Sequence, residues 1–393
     1  MEVTNATIQF IREHLDDDTS KLALQAKKYP DVDMPFVINQ IVGRKMAMEK
    51  IPSWGNKDGL LYPRHLSLEQ CSSEATAKYK ASLVKGDTMV DLTGGFGIDC
   101  AFLSANFRQA VYVERQQELC EIATSNFPLM GLSHIKVVNE DGVGYLSQME
   151  PADLIFLDPA RRDEKGGKVV AIADCEPDVA RLSELLISKA RQVMIKLSPM
   201  LDLSLALRDL PYAKEVHVVS VANECKEVLI ILEKGAPDKE MAIHCINVLK
   251  NGEVQRYTFS KEQESEVCDY TDEIGTYLYE SSASILKAGG YKSIANSFNL
   301  KKLHPNSHLY TSNIKQADFP GRCFECKSVF SLNKKELKTY LGDVKQANIT
   351  IRNFPSTVAD LRKKLRLSDG GDIYLFATTL KSEQKVLIKC HKI

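Results

Sequence analysis

The stretch from Met89 to Gln116, MVDLTGGFGIDCAFLSANFRQAVYVERQ, limits the fold more than any other part of the chain. MVDLT is a short apolar run suited to a buried strand, GGFG makes a turn, CAFLSANF favours a helix, and AVYVE is a second strand. A β-turn-α-β unit of this size, with an acid closing its second strand, is built to hold the adenosine half of a cofactor.

The residues around the turn discriminate between cofactors. A dinucleotide fingerprint needs a third glycine where Cys100 stands. Asp91, at the end of the first strand, would repel a pyrophosphate and attract the ammonium of a methionine moiety, so the charge favours S-adenosylmethionine. Glu114 closes the second strand and can accept both ribose hydroxyls, while Asp141, in NEDG after a third strand, is placed to read an adenine amino group. A fourth apolar strand, DLIFL, runs into Asp158-Pro159-Ala160-Arg161. A carboxylate at the C-terminal edge of such a strand faces the crevice where open sheets bind ligands, and this turn can hold a planar amine. Asp91, Glu114 and Asp141 each read equally well alone as surface residues, and a plain strand-ending turn is the lesser reading of Asp158. Their recurrence at successive strand ends argues for a shared site.

The alternation continues over residues 85–233, with strands near 89–93, 110–114, 135–139, 153–157, 191–197, 215–220 and 227–233, which predicts a doubly wound α/β sheet. VANECK, between the last two, is too short for a helical crossover, so the final strand should run antiparallel. Residues 1–84 are helical in pattern and read as a cap. Residues 234–320 hold a hairpin around Asn251-Gly252, a strand at TYLYE, one helix over SASILKAGGYKSIANSF and a strand at HLYTSN. Residues 321–393 read strand, helix, strand, helix, strand, strand. Both of these last regions are expected to be small α+β domains.

At 393 residues and 44% apolar, the chain is long enough for several buried cores. It contains no apolar run of membrane-spanning length, and its acidic, amphipathic beginning is unlike a signal peptide, so a cytoplasmic location is expected. Ten scattered cysteines suggest reduced core residues; Cys323-Phe324-Glu325-Cys326 lacks a nearby second pair, which argues against zinc, with Cys390 and His391 the only available partners. From Gly321 onward 15 Lys/Arg face 7 Asp/Glu, an excess of +8 that leaves −9 on the remainder of a chain whose net charge is −1. A basic appendix on an acidic body points to a polyanion partner, with Lys334, Lys335, Lys338, Arg362, Lys363, Lys364 and Arg366 as its contacts. The same residues also fit a solvated helix face.

Asp91–Asp99 (DLTGGFGID), Glu114-Arg115, Asp141 and Asp158-Pro159 resemble the signature motifs of class I S-adenosylmethionine-dependent methyltransferases, closest in flavour to the ribosomal RNA guanine-N2 type. With Glu69–Glu74 and the 303–312 segment included, the whole chain resembles a bacterial methyltransferase family carrying a ferredoxin-like module and a C-terminal THUMP-like domain. The resemblance implies a Rossmann-like seven-stranded sheet with an N-terminal helical region at 1–84, the methyltransferase domain at 85–233, the ferredoxin-like module at 234–320 and the THUMP-like domain at 321–393. It implies cofactor contacts from Asp91, Thr93, Gly94, Gly95, Gly97, Ile98 and Asp99, from Glu114 and Arg115, from Asp141 and Gly142, and from Asp158. Gln70 would close the pocket from the N-terminal side, and Asp158, Pro159 and Arg161 would meet the acceptor. No resident metal is implied.

THUMP domains bind RNA, so ribosomal or transfer RNA is the implied partner. Ala160 and Arg161 stand where base-nitrogen methyltransferases usually carry an aromatic, and Arg161 could stack by its guanidinium or hold a phosphate. Lys196-Leu197-Ser198-Pro199 offers no thiol for carbon-5 pyrimidine chemistry, which favours transfer to nitrogen. The alternatives are a methyltransferase for a small molecule or protein, and an RNA-binding protein with a relict core.

Overall fold

The structure, a computed structural model, describes residues 5–161, 172–235 and 241–393. These form two compact units, Met1–Glu215 with Val228–Lys239 and Val216–Glu227 with Glu240–Ile393.

The first unit is built on β1 (Thr88–Asp91), β2 (Gln109–Glu114), β3 (Ile135–Asn139), β4 (Ala152–Leu157), β5 (Ala190–Leu197), β6 (Ala213–Val221) and β7 (Glu224–Glu233), the last two running across the division between units. Their order is β3-β2-β1-β4-β5-β7-β6. The first five pair in parallel and β7 runs antiparallel to β5. The short β6–β7 connection turns on Ala222 and Asn223, both at positive φ (50° and 65°), which is the backbone of a two-residue hairpin. Central strands covered on both faces need continuous apolar sequence, and Leu154, Ile155, Phe156 and Leu157 of β4 are all about fully buried.

Residues 5–84 are mainly helical, and the second half of this cap packs into the core. Ala47, Ile51, Trp54, Tyr62 and Leu68 belong to the same apolar cluster as Met89, Phe96, Tyr112 and Phe156. Trp54 meets Phe96 edge-on at 5.2 Å.

The second unit contains the hairpin β8 (Ala242–Val248) and β9 (Val254–Phe259), turning at Asn251-Gly252 as the sequence indicates. It also contains β10 (Tyr277–Ser281), β11 (Leu309–Ser312), β12 (Gly321–Phe330), β13 (Asn348–Arg352), β14 (Ile373–Thr379) and β15 (Lys385–Lys392). With the short strand Lys301–Lys302 at its edge, these form one sheet ordered β11-β10-β12-β15-β14-β13. The helix expected over 282–298 is two helices, Ala283–Ala288 and Ser293–Ser297. Gly289, at φ 81°, caps the first by donating its N–H to Ile285 O, a left-handed stop that the helical period does not reveal. Helices Lys334–Leu341 and Val358–Leu365 share one apolar cluster with Leu375, Ala377 and Leu387, so both lie on one face of this sheet. Among the described residues, no helix is long and apolar enough to cross a membrane.

Candidate cofactor and acceptor site

The C-terminal ends of β1, β2 and β4 converge on the glycine loop. Asp91 is 1% exposed; its Oδ1 accepts the Thr93 N–H at 2.9 Å. Its buried Oδ2 has no hydrogen-bond partner among the described residues. Burial drives this carboxyl well above the usual range, the Thr93 bond opposes that, and the negative charges of Asp99, Asp158 and Glu114 push it further up. What the position lacks is a cation, and the ammonium of an amino-acid moiety fits that need.

The loop itself is pinned by its neighbours. Gly94 donates to Val113 O at 2.9 Å, and Gly95 to Glu114 Oε2 at 2.9 Å. Glu114 also accepts from Gln116 N–H at 2.8 Å, so its carboxylate splints the loop while keeping further lone pairs for incoming hydroxyls. Gly97 sits at φ 88° as the helix Ile98–Ser104 begins, and a Cβ there would come within 2.9 Å of Phe127. Ile98 points into the core. Thr93 Oγ1 accepts the Asp158 N–H at 2.6 Å, tying the β1 loop to the β4 turn.

Other sequence-marked residues have more modest surroundings. Asp141 caps the helix Gly142–Gln148, accepting from Val143 and Gly144 N–H at 3.0 Å through one oxygen, Oδ2. Arg115 is exposed and pairs with Glu176 at 3.0 Å. Gln70 ends the helix His65–Gln70 and is exposed. Pro159 is buried, Ala160 exposed, and the Arg161 backbone bridges to Cys175; the Arg161 side chain lies outside the described part.

A polar ladder beside these residues escaped the sequence reading. Lys196, at the end of β5, contacts Asp158 Oδ2, Asp99 Oδ2 at 3.4 Å and Ser72 Oγ at 3.2 Å. Lys80, fully buried, lies 3.2 Å from Asp99 Oδ1 and donates to Ser72 Oγ at 3.1 Å. Ser72 donates to Asp99 Oδ2 at 2.7 Å. Burial alone would raise the Asp99 carboxyl, but Lys80 and Lys196 outweigh it and hold Asp99 below the ordinary value. The sequence does carry a trace of this: a lysine inside VMIKLSP, at the end of a buried strand, must be paired. Its partners are not readable from spacing. A cavity of about 190 Å³ among Arg12, Gln40, Arg44, Lys57 and Leu60 shares no residue with this site.

In the second unit, Lys334, Lys335, Lys338, Lys363, Lys364 and Arg366 are exposed. Arg362 is half-buried and paired with Asp369 at 2.6 Å, a commitment the sequence did not suggest. Of the two cysteines in the 323–326 pair, Cys323 packs with the Tyr279 cluster and Cys326 with the Leu278 and Phe324 cluster, where Cys390 Sγ is 3.9 Å from Cys326 Sγ.

A β3-β2-β1-β4-β5-β7-β6 order with an antiparallel β7, a glycine loop after β1 and acids at the strand ends defines the class I methyltransferase fold. Three family models match the chain: residues 66–163 protein-L-isoaspartate(D-aspartate) O-methyltransferase, residues 277–320 a ferredoxin-like domain, and residues 321–392 a THUMP domain-like module. A solved structure from Porphyromonas gingivalis W83, described as a "putative methyltransferase", is 35% identical, covers 100% of both chains and superposes with a TM-score of 0.90. The chain belongs to that family, methyltransferases with ferredoxin-like and THUMP-like domains. An rRNA methylase from Streptococcus thermophilus is 13% identical over 40% of this chain and 94% of its own, with a TM-score of 0.31. TrmK of M. capricolum, solved with S-adenosyl-homocysteine, is 14% identical over 41% of this chain and 68% of its own, with a TM-score of 0.32. No curated protein matches the sequence.

Proposed function

We propose that the chain transfers a methyl group from S-adenosylmethionine to a base nitrogen of RNA, with residues 321–393 delivering the RNA. The observation that carries the cofactor is the buried, half-unpartnered Asp91 at the mouth of the glycine loop, flanked by Glu114 and Asp158. In this reading Asp91 takes the ammonium, Glu114 the ribose hydroxyls, Asp141 the adenine edge and the 93–99 loop the backbone contacts. Arg115, Gly142 and Gln70 complete the pocket.

Bound there, S-adenosylmethionine supplies an electrophilic methyl on a sulfonium. The protein's task is placement: an acceptor nitrogen in line with the methyl, its N–H held by Asp158 and the carbonyls beside Pro159, with Arg161 against the base or its phosphate. Asp158, or water beside it, would take the proton that the acceptor nitrogen gives up. The RNA assignment is supported by the THUMP-like match and by exposed lysines on two helices of one sheet face. The likeness to isoaspartate methyltransferase over residues 66–163 favours a protein acceptor as the second reading. Tritium transfer from labelled S-adenosylmethionine in a cell extract, separated into RNA, protein and small-molecule fractions, tests the assignment. Label in RNA supports it, and label confined to protein selects the second reading.

A further inference from the structure

The Lys80–Asp99–Lys196–Asp158 ladder is more than a pin between helix and sheet, because only one end of it is open. Lys80, Asp99 and Lys196 are buried, whereas the Asp158 side chain is 37% exposed. An ammonium has three donors, and Lys196 meets three oxygens: Asp158 Oδ2, Ser72 Oγ and Asp99 Oδ2. The Ser72 hydroxyl has one donor and two lone pairs, and uses them on Asp99, Lys80 and Lys196. The hydrogen bonds therefore fix the Lys196 Nζ in place, with one oxygen of Asp158 bound to it. Among the described residues no hydrogen bond reaches the other oxygen, Oδ1.

We infer that Lys196 is a positioning and specificity-determining residue: it aims Asp158 by one oxygen and sets a fixed positive charge beside the space where the acceptor arrives. This rests on the methyltransferase reading of the site but not on RNA being the substrate. A protonated alkylamine brought to Asp158 Oδ1 is drawn by that carboxylate, but the Lys196 ammonium, about 5 Å away, offsets the attraction by on the order of a hundredfold in affinity at a protein-like dielectric. A group that arrives uncharged, such as the exocyclic amine or ring N–H of a nucleobase, escapes that penalty. The acceptor class favoured is thus a neutral N–H over lysine side chains or polyamines.

The fixed charge has a consequence that needs no acceptor. S-adenosylmethionine and S-adenosylhomocysteine differ by a methyl and one positive charge at sulfur, so a cation beside the transfer space disfavours the first relative to the second. Calorimetry with both ligands on the full chain, for wild type, Lys196→Met, Lys196→Gln and Lys196→Arg, measures this directly. In Lys196→Met the affinity ratio should move toward S-adenosylmethionine by about tenfold, and Lys196→Arg should restore the wild-type ratio. Lys196→Gln, a neutral side chain that still donates hydrogen bonds, gives the same reading should the Met variant fail to fold. A ratio within twofold of wild type in both neutral variants overturns the inference. Absence of S-adenosylhomocysteine binding by wild-type protein is a different result, because it rejects the underlying site assignment and the inference with it. In a second arm, n-butylammonium should bind Lys196→Gln in the presence of S-adenosylhomocysteine more tightly than it binds wild type; equal or weaker binding by calorimetry overturns the specificity claim.

Discussion

Asp91→Asn should make the ligand-free protein more stable while nearly abolishing its affinity for the cofactor. Asp91 is 1% exposed, one of its oxygens has no partner among the described residues, and three carboxylates act on it. Leaving a buried polar atom unsatisfied costs about 1–3 kcal/mol, and asparagine removes the charge that makes this atom most expensive. For a unit of this size about 1 kcal/mol corresponds to about 2–4 °C, so the variant should melt about 2–12 °C higher without ligand. Loss of one partner of a buried charge pair costs about 2–5 kcal/mol, so S-adenosylhomocysteine should bind at least about 30-fold more weakly. The pH dependence has a definite sign. Asp91 has its folded pKa raised, by burial first, so the unfolded chain gives up this proton at lower pH than the folded one. The contribution to stability is whole below the unfolded value near 3.8 and is lost as pH rises through the folded value. The difference in melting temperature between variant and wild type should be smallest near pH 4 and widen upward. Differential scanning fluorimetry across that range, with calorimetry at pH 7, measures both. A variant that melts lower at pH 7 and binds S-adenosylhomocysteine normally would refute the reasoning.

Glu114→Ala removes the acceptor of the Gly95 and Gln116 N–H groups as well as the one proposed for the ribose, so it should lower both the melting temperature and S-adenosylhomocysteine affinity, the latter about 10- to 150-fold; calorimetry finding wild-type affinity removes Glu114 from the site. Asp158→Ala should depress turnover far more than cofactor affinity, and equal losses in steady-state and binding measurements would make Asp158 a cofactor ligand or a structural residue only. Reversing the charge at Lys363 and Lys364, both exposed, should flatten the salt dependence of RNA binding by about 0.7 for each phosphate no longer neutralised, while leaving cofactor affinity alone. A slope equal to wild type over a tenfold salt range, read by filter binding, makes that helix a solubilising face.

The fold was legible wherever it depends on local pattern. Apolar runs ending in acids marked β1, β2 and β4, and the brevity of VANECK fixed the direction of β7, because two residues at positive φ leave no room for a crossover. The same local logic failed at 282–298, where Gly289 ends a helix that the period alone would continue. The candidate site was legible as a set of acids and illegible as a network. Asp91, Glu114 and Asp158 stand at strand ends that any doubly wound sheet brings together. Lys196 reaches Asp158 only because β4 and β5 are neighbours in register, Leu157 beside Ile195. Lys80 and Ser72 come from helices whose packing no sequence spacing encodes. In the basic region the charge excess was visible, but the pairing of Arg362 with Asp369 depends on a chain reversal after Arg366, at φ 57°.

The central claim is methyl transfer to a base nitrogen of RNA, and nucleoside analysis tests it most directly. Total RNA from cells lacking the gene is incubated with the full chain and S-adenosylmethionine, digested to nucleosides and compared by mass spectrometry with untreated RNA. One new methylated nucleoside is expected, its added mass staying with the base on fragmentation and its retention matching an N-methyl standard, and it should fail to form with Asp158→Ala. An unchanged nucleoside profile, or a methyl group carried on the ribose, would contradict it.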